Sequence, residues 1–348
     1  MQLQTRADAR DTDRFAINAL GIPNSRLMRR AARALAESAM ELLSASGGRV
    51  CVFCGGGNNG GDGLGAAAQL LRHGFDVRLF LVGGGERMSD AAHSCAARFF
   101  DYGGVIEPFS QAAARDALAD CGLVIDAIFG VGLSREVSGE YKTAIELITA
   151  SPARVLSADI PSGIDADTGA ILGCAVRADV TLTFTAPKPG HFLSFGCEYS
   201  GDVRVRGIGI PSGALVFCEP GVFTVTHEDI CLPKRKRHTH KGDYGKLVIL
   251  AGSRGYSGAP VLAARAASAA GAGLVRRCVP VDIYGIAAAG CRGEIVHPLP
   301  CADGSLSPDA AAEALALTSS ADALLIGPGM RVTETTRRLV LSALDSPG

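Results

Sequence analysis

The sequence predicts an α/β fold: a three-layer domain with a mostly parallel sheet, followed by a second, partial α/β region. Three observations predict it. Short, strongly apolar strand segments alternate with helical ones, the pattern of a parallel sheet covered on both faces. Polar clusters follow three of these strands, at Asn58–Asp62, Asp126–Gly132 and Asp159–Asp165, on the side of such a sheet where ligands bind. A further strand–helix series begins near residue 240 after a stretch of different texture.

The elements follow in order. "SRLMRRAARALAESAMELL" (25–43) reads as the first substantial helix, with apolar residues at helical spacing and Ser25 as a candidate cap. "RVCVFC" (49–54) is a short strand. In "GGGNNGGDGLG" (55–65), seven of eleven positions are glycine, more than a turn requires, and each costs conformational entropy on folding. A helix is expected over 63–74, with Gly74 as its C-terminal cap. A strand (76–82), a helix (88–101) and the strand "GLVIDAIFG" (122–130) come next. "EYKTAIELITA" is helical, "RVLSADIPSG" ends a strand in a loop, and "ADVTLTF" is another strand.

Residues 214–245 hold turn formers and the basic run "PKRKRHTHKGD". Lys234–Arg237 read as a solvated linker face rather than a nucleic-acid patch, because no aromatic residues are interleaved. A strand over 246–252, the helix "GAPVLAARAASAAGAG", the segment "LVRRCVP", helices near 282–290 and 308–319 and a strand within 321–329 complete the chain. So few strands leave that sheet unfinished. The expected organisation is a domain over 10–215, a linker over 216–239 and a partial domain over 240–348.

With 348 residues the chain is long enough for about two domains. Lys+Arg 34 against Asp+Glu 35 gives a net charge of -1, which gives no support to a nucleic-acid or polyanion binder. Glycine, at 44 residues, gathers in clusters that suit loops and close backbone approaches. Eleven cysteines, an odd number behind an N-terminus without an apolar signal core, suit reduced thiols in the cytoplasm. No apolar run reaches the length of a membrane span. Cys51 and Cys54 lie three apart on a strand and therefore face opposite sides of the sheet.

The 55–65 segment lacks the lysine and serine or threonine of a Walker loop and the spacing of a dinucleotide fingerprint. Successive backbone N–H groups beside a helix N-terminus could still hold an anion. Asp62, acceptor-only when ionised, would repel a phosphate and suits a sugar hydroxyl, a cation or a backbone N–H. The alternative is a tight strand–helix junction with Asp62 as the cap. Asp126 and Asp159 are either ordinary caps or parts of an oxygen-lined cation site or acid–base pair, with Ser162 adding a hydroxyl. Asp165 and Asp167 read as turn residues. His191 is open to a functional or a surface position. His238 and His240 have no Cys or carboxylate cluster at metal-ligand spacing.

"GGGNNGGDG", "DAIFGVGLSRE", "DIPSGIDADTG" and "TFTAPKPG" together closely resemble the N-terminal epimerase domain of bifunctional NAD(P)H-hydrate repair enzymes, the YjeF N-terminal type, over roughly 10–215. "HKGDYGKLVILAGSRGYSGAPVLAARAASAAGAGLV" and "LLIGPG" resemble the start of the partner domain, a ribokinase-like dehydratase dependent on ADP or ATP. The resemblance implies a Rossmann-like first domain and a substrate, NADHX or NADPHX, in which water has added at C6 of the nicotinamide ring. The epimerase interconverts the R and S forms; the dehydratase restores NAD(P)H from the S form. By motif, Asn58, Asn59, Gly60, Gly61, Asp62, Gly130, Val131, Gly132, Leu133, Ser134, Arg135 and Glu136 line the hydrate cleft. Asn59, Asp126 and Ser162 match the ligands of one potassium ion per epimerase domain. Asp159 matches a substrate-contacting acid–base residue, expected to exchange a proton with the C6 hydroxyl. Glycine backbone approaching the diphosphate would explain the missing Cβ atoms. Ala259 and Gly329 match early substrate-contact positions of the dehydratase.

Two departures stand out. The family's "LMExAG" is "LMRRAA" here, so Arg29 replaces an acid and Ala32 a glycine. The dehydratase's later "TPHxxE"-like and "GxGDxLAG"-like segments do not occur before Gly348, so the chain resembles a C-terminally shortened protein with little or no dehydratase activity. No nucleic-acid or membrane partner is expected, and a homo-oligomer is left open. The competing reading is a non-catalytic binding or scaffold protein using the same cleft, which has no need of Asn59, Asp126, Asp159 and Ser162 together. An ordinary dinucleotide-dependent dehydrogenase fits the fingerprint poorly.

Overall fold

The computed structural model describes residues 1–43, 48–84, 88–211, 213–214, 221–231 and 234–345. Contacts divide the chain into two compact units, Met1–Ile230 and Cys231–Gly348. Their boundary falls within the stretch 216–239, of which 216–220, 232 and 233 lie outside the described residues.

In the first unit, β1 (Arg49–Cys54), β2 (Val77–Leu81), β3 (Ile106–Pro108), β4 (Cys121–Ala127), β5 (Arg154–Ala158), β6 (Val180–Phe184) and β7 (Asp202–Arg206) form one sheet. The order is β3-β2-β1-β4-β5-β6-β7 and every pairing is parallel. The chain winds outward from β1 to β3, then returns to the other side of β1 as β4. Loops leaving β1 and β4 therefore diverge, and a crevice opens at the carboxyl ends of these strands. This is a Rossmann-like sheet.

Side-chain alternation along the strands builds two cores. Val50, Val52, Leu123 and Ile125 pack with Leu35 of α2 (Asn24–Leu43), Leu64 and Leu70 of α3 (Asn58–Arg72) and Phe99 of α4 (Asp90–Asp101). Cys51, Phe53, Phe80 and Val124 pack on the other face with Ala117 and Leu118 of α5 (Gln111–Leu118) and Ile145 and Ile148 of α6 (Gly139–Ala150). Cys51 and Cys54 thus belong to opposite faces, and the cysteines among the described residues are free thiols.

Among the elements that go beyond the sequence reading are α1 (Arg6–Asn18), β3, α5 and β7. Another difference matters more. The helix after β1 begins at Asn58 rather than 63, so most of the glycine segment is helix, not loop, and Asp62 is not its cap. Those glycines are required by packing. A Cβ on Gly60 would lie 1.7 Å from the Gly55 carbonyl oxygen, and one on Gly63 would lie 2.5 Å from Ala127 Cβ and 2.8 Å from Cys54 Sγ. A Cβ on Gly65 would lie 2.6 Å from Ala32 Cβ, so Ala32 stays compatible with close packing of α2 on α3. Arg29 is exposed. Ser25 lies inside α2, which begins at Asn24.

The second unit holds β8 (Lys246–Leu250), β9 (Leu274–Pro280), β10 (Ile295–Leu299), the hairpin β11 (Cys301–Ala302) and β12 (Ser305–Leu306), and β13 (Ala323–Ile326). The parallel sheet runs β10-β9-β8-β13, with helices at Gly258–Ala270, Tyr284–Ala289, Ala310–Thr318 and Glu334–Asp345. Val248, Leu250, Cys278, Leu299 and Leu339 form its main core. In the basic run, the Arg235 guanidinium lies 4.3 Å above the Tyr244 ring and donates to the Gly271 carbonyl oxygen. No helix among the described residues is long and apolar enough to cross a membrane.

Candidate functional site

The crevice of the first unit holds a cavity of about 640 Å³, within the usual range for small-molecule sites. Asn58, Asn59 and Asp62 reach it from α3, residues 130–135 from the loop after β4, and Asp159 from the end of β5. The three strand-end clusters therefore meet because β1, β4 and β5 are adjacent in the sheet.

Other expected residues lie elsewhere. Gly60 and Gly61 are buried in the helix packing and do not line the cavity. Their missing Cβ atoms make room for Gly55 and Met28, which corrects the expectation that they bare the backbone to a ligand. Glu136 lines an adjoining cavity of about 240 Å³ with Gly83 and Tyr141. Ala259 and Gly329 belong to the second unit, where a Cβ on Gly329 would lie 2.8 Å from that of Ala259.

Asp126 and Ser162 are fully buried beneath the cavity floor. Ser162 Oγ donates to Asp126 Oδ1 at 2.5 Å, and Ser162 N and Ser157 Oγ donate to Oδ2 at 2.9 and 2.8 Å. Burial pushes the Asp126 carboxyl up, and these hydrogen bonds only partly offset it. Ile128 N donates to Asp126 and Phe129 N to Ser162 Oγ, while a Cβ on Gly130 would meet the Asn59 side chain at 3.2 Å. Asn59, Asp126 and Ser162 thus gather on one short segment, although no direct hydrogen bond joins Asn59 to the other two among the described residues. The Asn59 amide nitrogen is buried without a hydrogen-bond partner, a costly arrangement for a neutral amide.

Asp159 is held from all sides. Its φ of 67° is unusual for a residue with a Cβ. Lys188 Nζ donates to Oδ1, as does Thr183 Oγ1 at 3.2 Å. Lys188 is 2% exposed and also donates to Thr183 Oγ1 at 2.7 Å. His191, expected in a functional or surface loop position, is buried instead. Its Nδ1 accepts from Lys188 N at 3.0 Å, so Nε2 carries the hydrogen it donates to the Asp159 carbonyl oxygen at 2.9 Å. That ring therefore fixes the backbone on both sides of the ion pair. Burial pulls the Asp159 carboxyl up, but the Lys188 ammonium and the hydrogen bonds outweigh it and hold it below the usual range. Burial, with Lys188 nearby, drives His191 down to about 4.

Two other carboxyls line the same cavity. Burial, reinforced by Asp159 and Asp13, raises Asp62 well above its ordinary value. That raise favours the neutral form, which repels a phosphate less than the ionised form considered from sequence. Asp13, on α1, is accessible from the cavity mouth but walled by protein, and that enclosure with the charge of Asp159 raises it to about 6. Asp13, Lys188 and Arg6 were not singled out from sequence. Arg6 ties α1 to the site: its N donates to Asp167, its Nε to the Val131 carbonyl oxygen at 2.7 Å and its Nη2 to Asp165 at 2.5 Å. Only the lysine of "TFTAPKPG", a charge inside an apolar strand–turn, carried a local signal.

A family profile described as YjeF-related protein N-terminus matches residues 24–190, and one described as NAD(P)H-hydrate dehydratase matches 247–346. The bifunctional NAD(P)H-hydrate repair enzyme Nnr of Thermofilum pendens is 37% identical over 94% of this chain and 63% of its own length. The corresponding protein of Moorella thermoacetica is 35% identical over 99% of this chain and 67% of its own length. The chain therefore spans about two thirds of the length of these relatives. The crystal structure of yeast ynu0 matches with a TM-score of 0.56 at 21% identity, over 66% of this chain and 99% of that one, a likeness of fold. These matches, in the order of the two units, establish that the chain belongs to the YjeF-related family of bifunctional NAD(P)H-hydrate repair enzymes.

Proposed function

We propose that the first unit epimerises the R and S forms of NADHX and NADPHX. The observation that carries this reading is one cavity shared by an ionised Asp159, paired with Lys188, and by two carboxyls, Asp13 and Asp62, raised above their ordinary values. Groups with pKa values pushed apart suit a reaction that needs an acid and a base at once. Gly56, Gly57 and Asn58 line the same cavity, and α3 begins there with no side-chain cap, so its first-turn amides suit a diphosphate. The hydroxyl at C6 departs with a proton and leaves a cation stabilised by the ring nitrogen. Water adding to the other face gives up its proton to Asp159.

Potassium fits the residues present. The set of amide, hydroxyl and carboxylate oxygens on Asn59, Ser162 and Asp126 is that of a hard monovalent cation. The unpartnered Asn59 amide can offer its oxygen on a half-turn, and the buried Asp126 has no cationic partner among the described residues. When bound, the ion supplies positive charge beneath the cleft. The test is epimerisation of purified R-hydrate with and without potassium, coupled to an independent dehydratase. A folded chain that leaves R-hydrate unchanged in potassium refutes this reading.

A further inference from the structure

We propose that Asp13 is the second proton-transfer residue of the cleft, donating to the departing hydroxyl while Asp159 receives the proton of the water that adds. This rests on the epimerase reading. Asp159 cannot supply the proton that the leaving hydroxyl takes. Lys188 and Thr183 both donate to Oδ1, and Val131 N donates to Oδ2 at 3.4 Å. A carboxylate so supplied with donors stays ionised and holds no proton to donate near neutrality. A leaving hydroxyl needs an acid that holds a proton and can release it near neutrality.

Asp13 meets that need. It lines the cavity that Asp159 lines, makes no hydrogen bond or ion pair among the described residues, and is accessible to a ligand. Its helix is set in place by the Thr5–Asp8 capping box and by Arg6, whose bonds run to Asp165, Asp167 and Val131 beside the cleft. Charged or titratable groups sharing the cavity with it are Asp62, Asp159, Lys188, Arg10, Arg135 and Tyr141. Burial and Asp159 raise its carboxyl to about 6, against a smaller opposing pull from Lys188. Asp62 shares the cavity but is half-buried on α3, less open to a ligand than the exposed Asp13.

The step balances. The C6–O bond breaks with its electron pair, and the oxygen leaves as water with the Asp13 proton. A water oxygen then bonds to C6 and its proton passes to Asp159. One proton has crossed from Asp13 to Asp159, and exchange with solvent resets both carboxyls without any further reactant.

The experiment compares the parent chain, Asp13→Asn, Asp13→Glu and Asp11→Asn in potassium across pH 5 to 8, with circular dichroism as the check on folding. In the parent, kcat should fall as pH rises through about 6, because Asp13 loses the proton it must donate. Asp13→Asn should lower kcat on the order of 10²-fold, leave KM within about threefold and abolish that limb. Asp13→Glu should restore part of the rate. Asp11, exposed on the same helix and paired with Arg14, should be replaceable without effect. A folded Asp13→Asn variant with the parent kcat, or with the pH limb intact, overturns the proposal alone. A parent that does not epimerise overturns the epimerase reading and this proposal with it.

Discussion

Lys188 places its ammonium on the Asp159 carboxylate, and both residues are enclosed at the end of the sheet, with side-chain exposures of 3% and 13%. A buried pair of this kind contributes little net stability, yet removing one partner leaves a buried charge alone. Lys188→Met should therefore destabilise the first unit by roughly 3 kcal/mol near neutrality. In the parent, the low Asp159 pKa gives a contribution present above its unfolded value and lost as pH falls through the folded one. In the variant, burial without the cation raises that pKa, so part of the deficit disappears on acidification. Urea unfolding at pH 7.5 and pH 5 measures both. Equal stability of variant and parent at both values would remove the ion pair from the account.

The buried Asp126–Ser162 pair predicts a specific response to potassium. An ion that binds only the folded state stabilises it by about 2.7 kcal/mol at a hundredfold excess over Kd. The parent should melt higher in potassium chloride than in sodium chloride at equal ionic strength. Asp126→Asn should erase the difference, and no assay of activity is needed. A parent indifferent to the two salts would leave Asn59, Asp126 and Ser162 without a cation to hold.

Packing rather than ligand approach accounts for the glycines of α3. Gly63→Ala should cost roughly 1–3 kcal/mol, the usual range for overpacking, because Ala127 and Cys54 stand in the way. Gly57→Ala, with nothing within 4 Å of the added Cβ, should stay within about 0.5 kcal/mol of the parent. Thermal unfolding of the two variants separates the positions. The reverse order would restore the view of a bare ligand-binding loop.

His191 carries a pH signature. Its pKa falls from 6.5 to about 4 in the folded state, so the unfolded chain takes up a proton first as pH drops. The neutral imidazole therefore contributes stability that is full above pH 6.5 and lost as pH falls towards 4. The loss is about 3 kcal/mol, from roughly 1.4 kcal/mol per unit. Because Asp13 titrates over an overlapping range with the opposite sign, the useful quantity is the parent minus His191→Gln. That difference should shrink by about 3 kcal/mol between pH 7.5 and pH 4. A difference that does not change with pH would show that the histidine titrates alike in the folded and the unfolded chain.

The sequence by itself determined the parallel α/β architecture and the side of the sheet on which the cleft opens. Buried parallel strands must be apolar on both faces, so β1, β2, β4, β5 and β6 announce themselves as short unbroken runs. The residues just past them then fall at one edge wherever the strands pair. By the same logic Asn58, Asn59, Asp62, the 130–135 loop and Asp159 were legible as neighbours. The polar helix α1 was not, because it buries only Thr12 and Ala16 and so has no apolar stripe to read.

Tertiary structure alone decided which charges meet. Lys188 lies 29 residues from Asp159, and Arg6 lies 159 residues from Asp165. Local patterning cannot register either pair. It also decided that the glycines of α3 serve helix packing and that Asp13 faces the cavity. Ionisation follows burial and neighbours, and both are properties of the folded chain: four aspartates that are alike in sequence emerge with Asp159 lowered and Asp13, Asp62 and Asp126 raised.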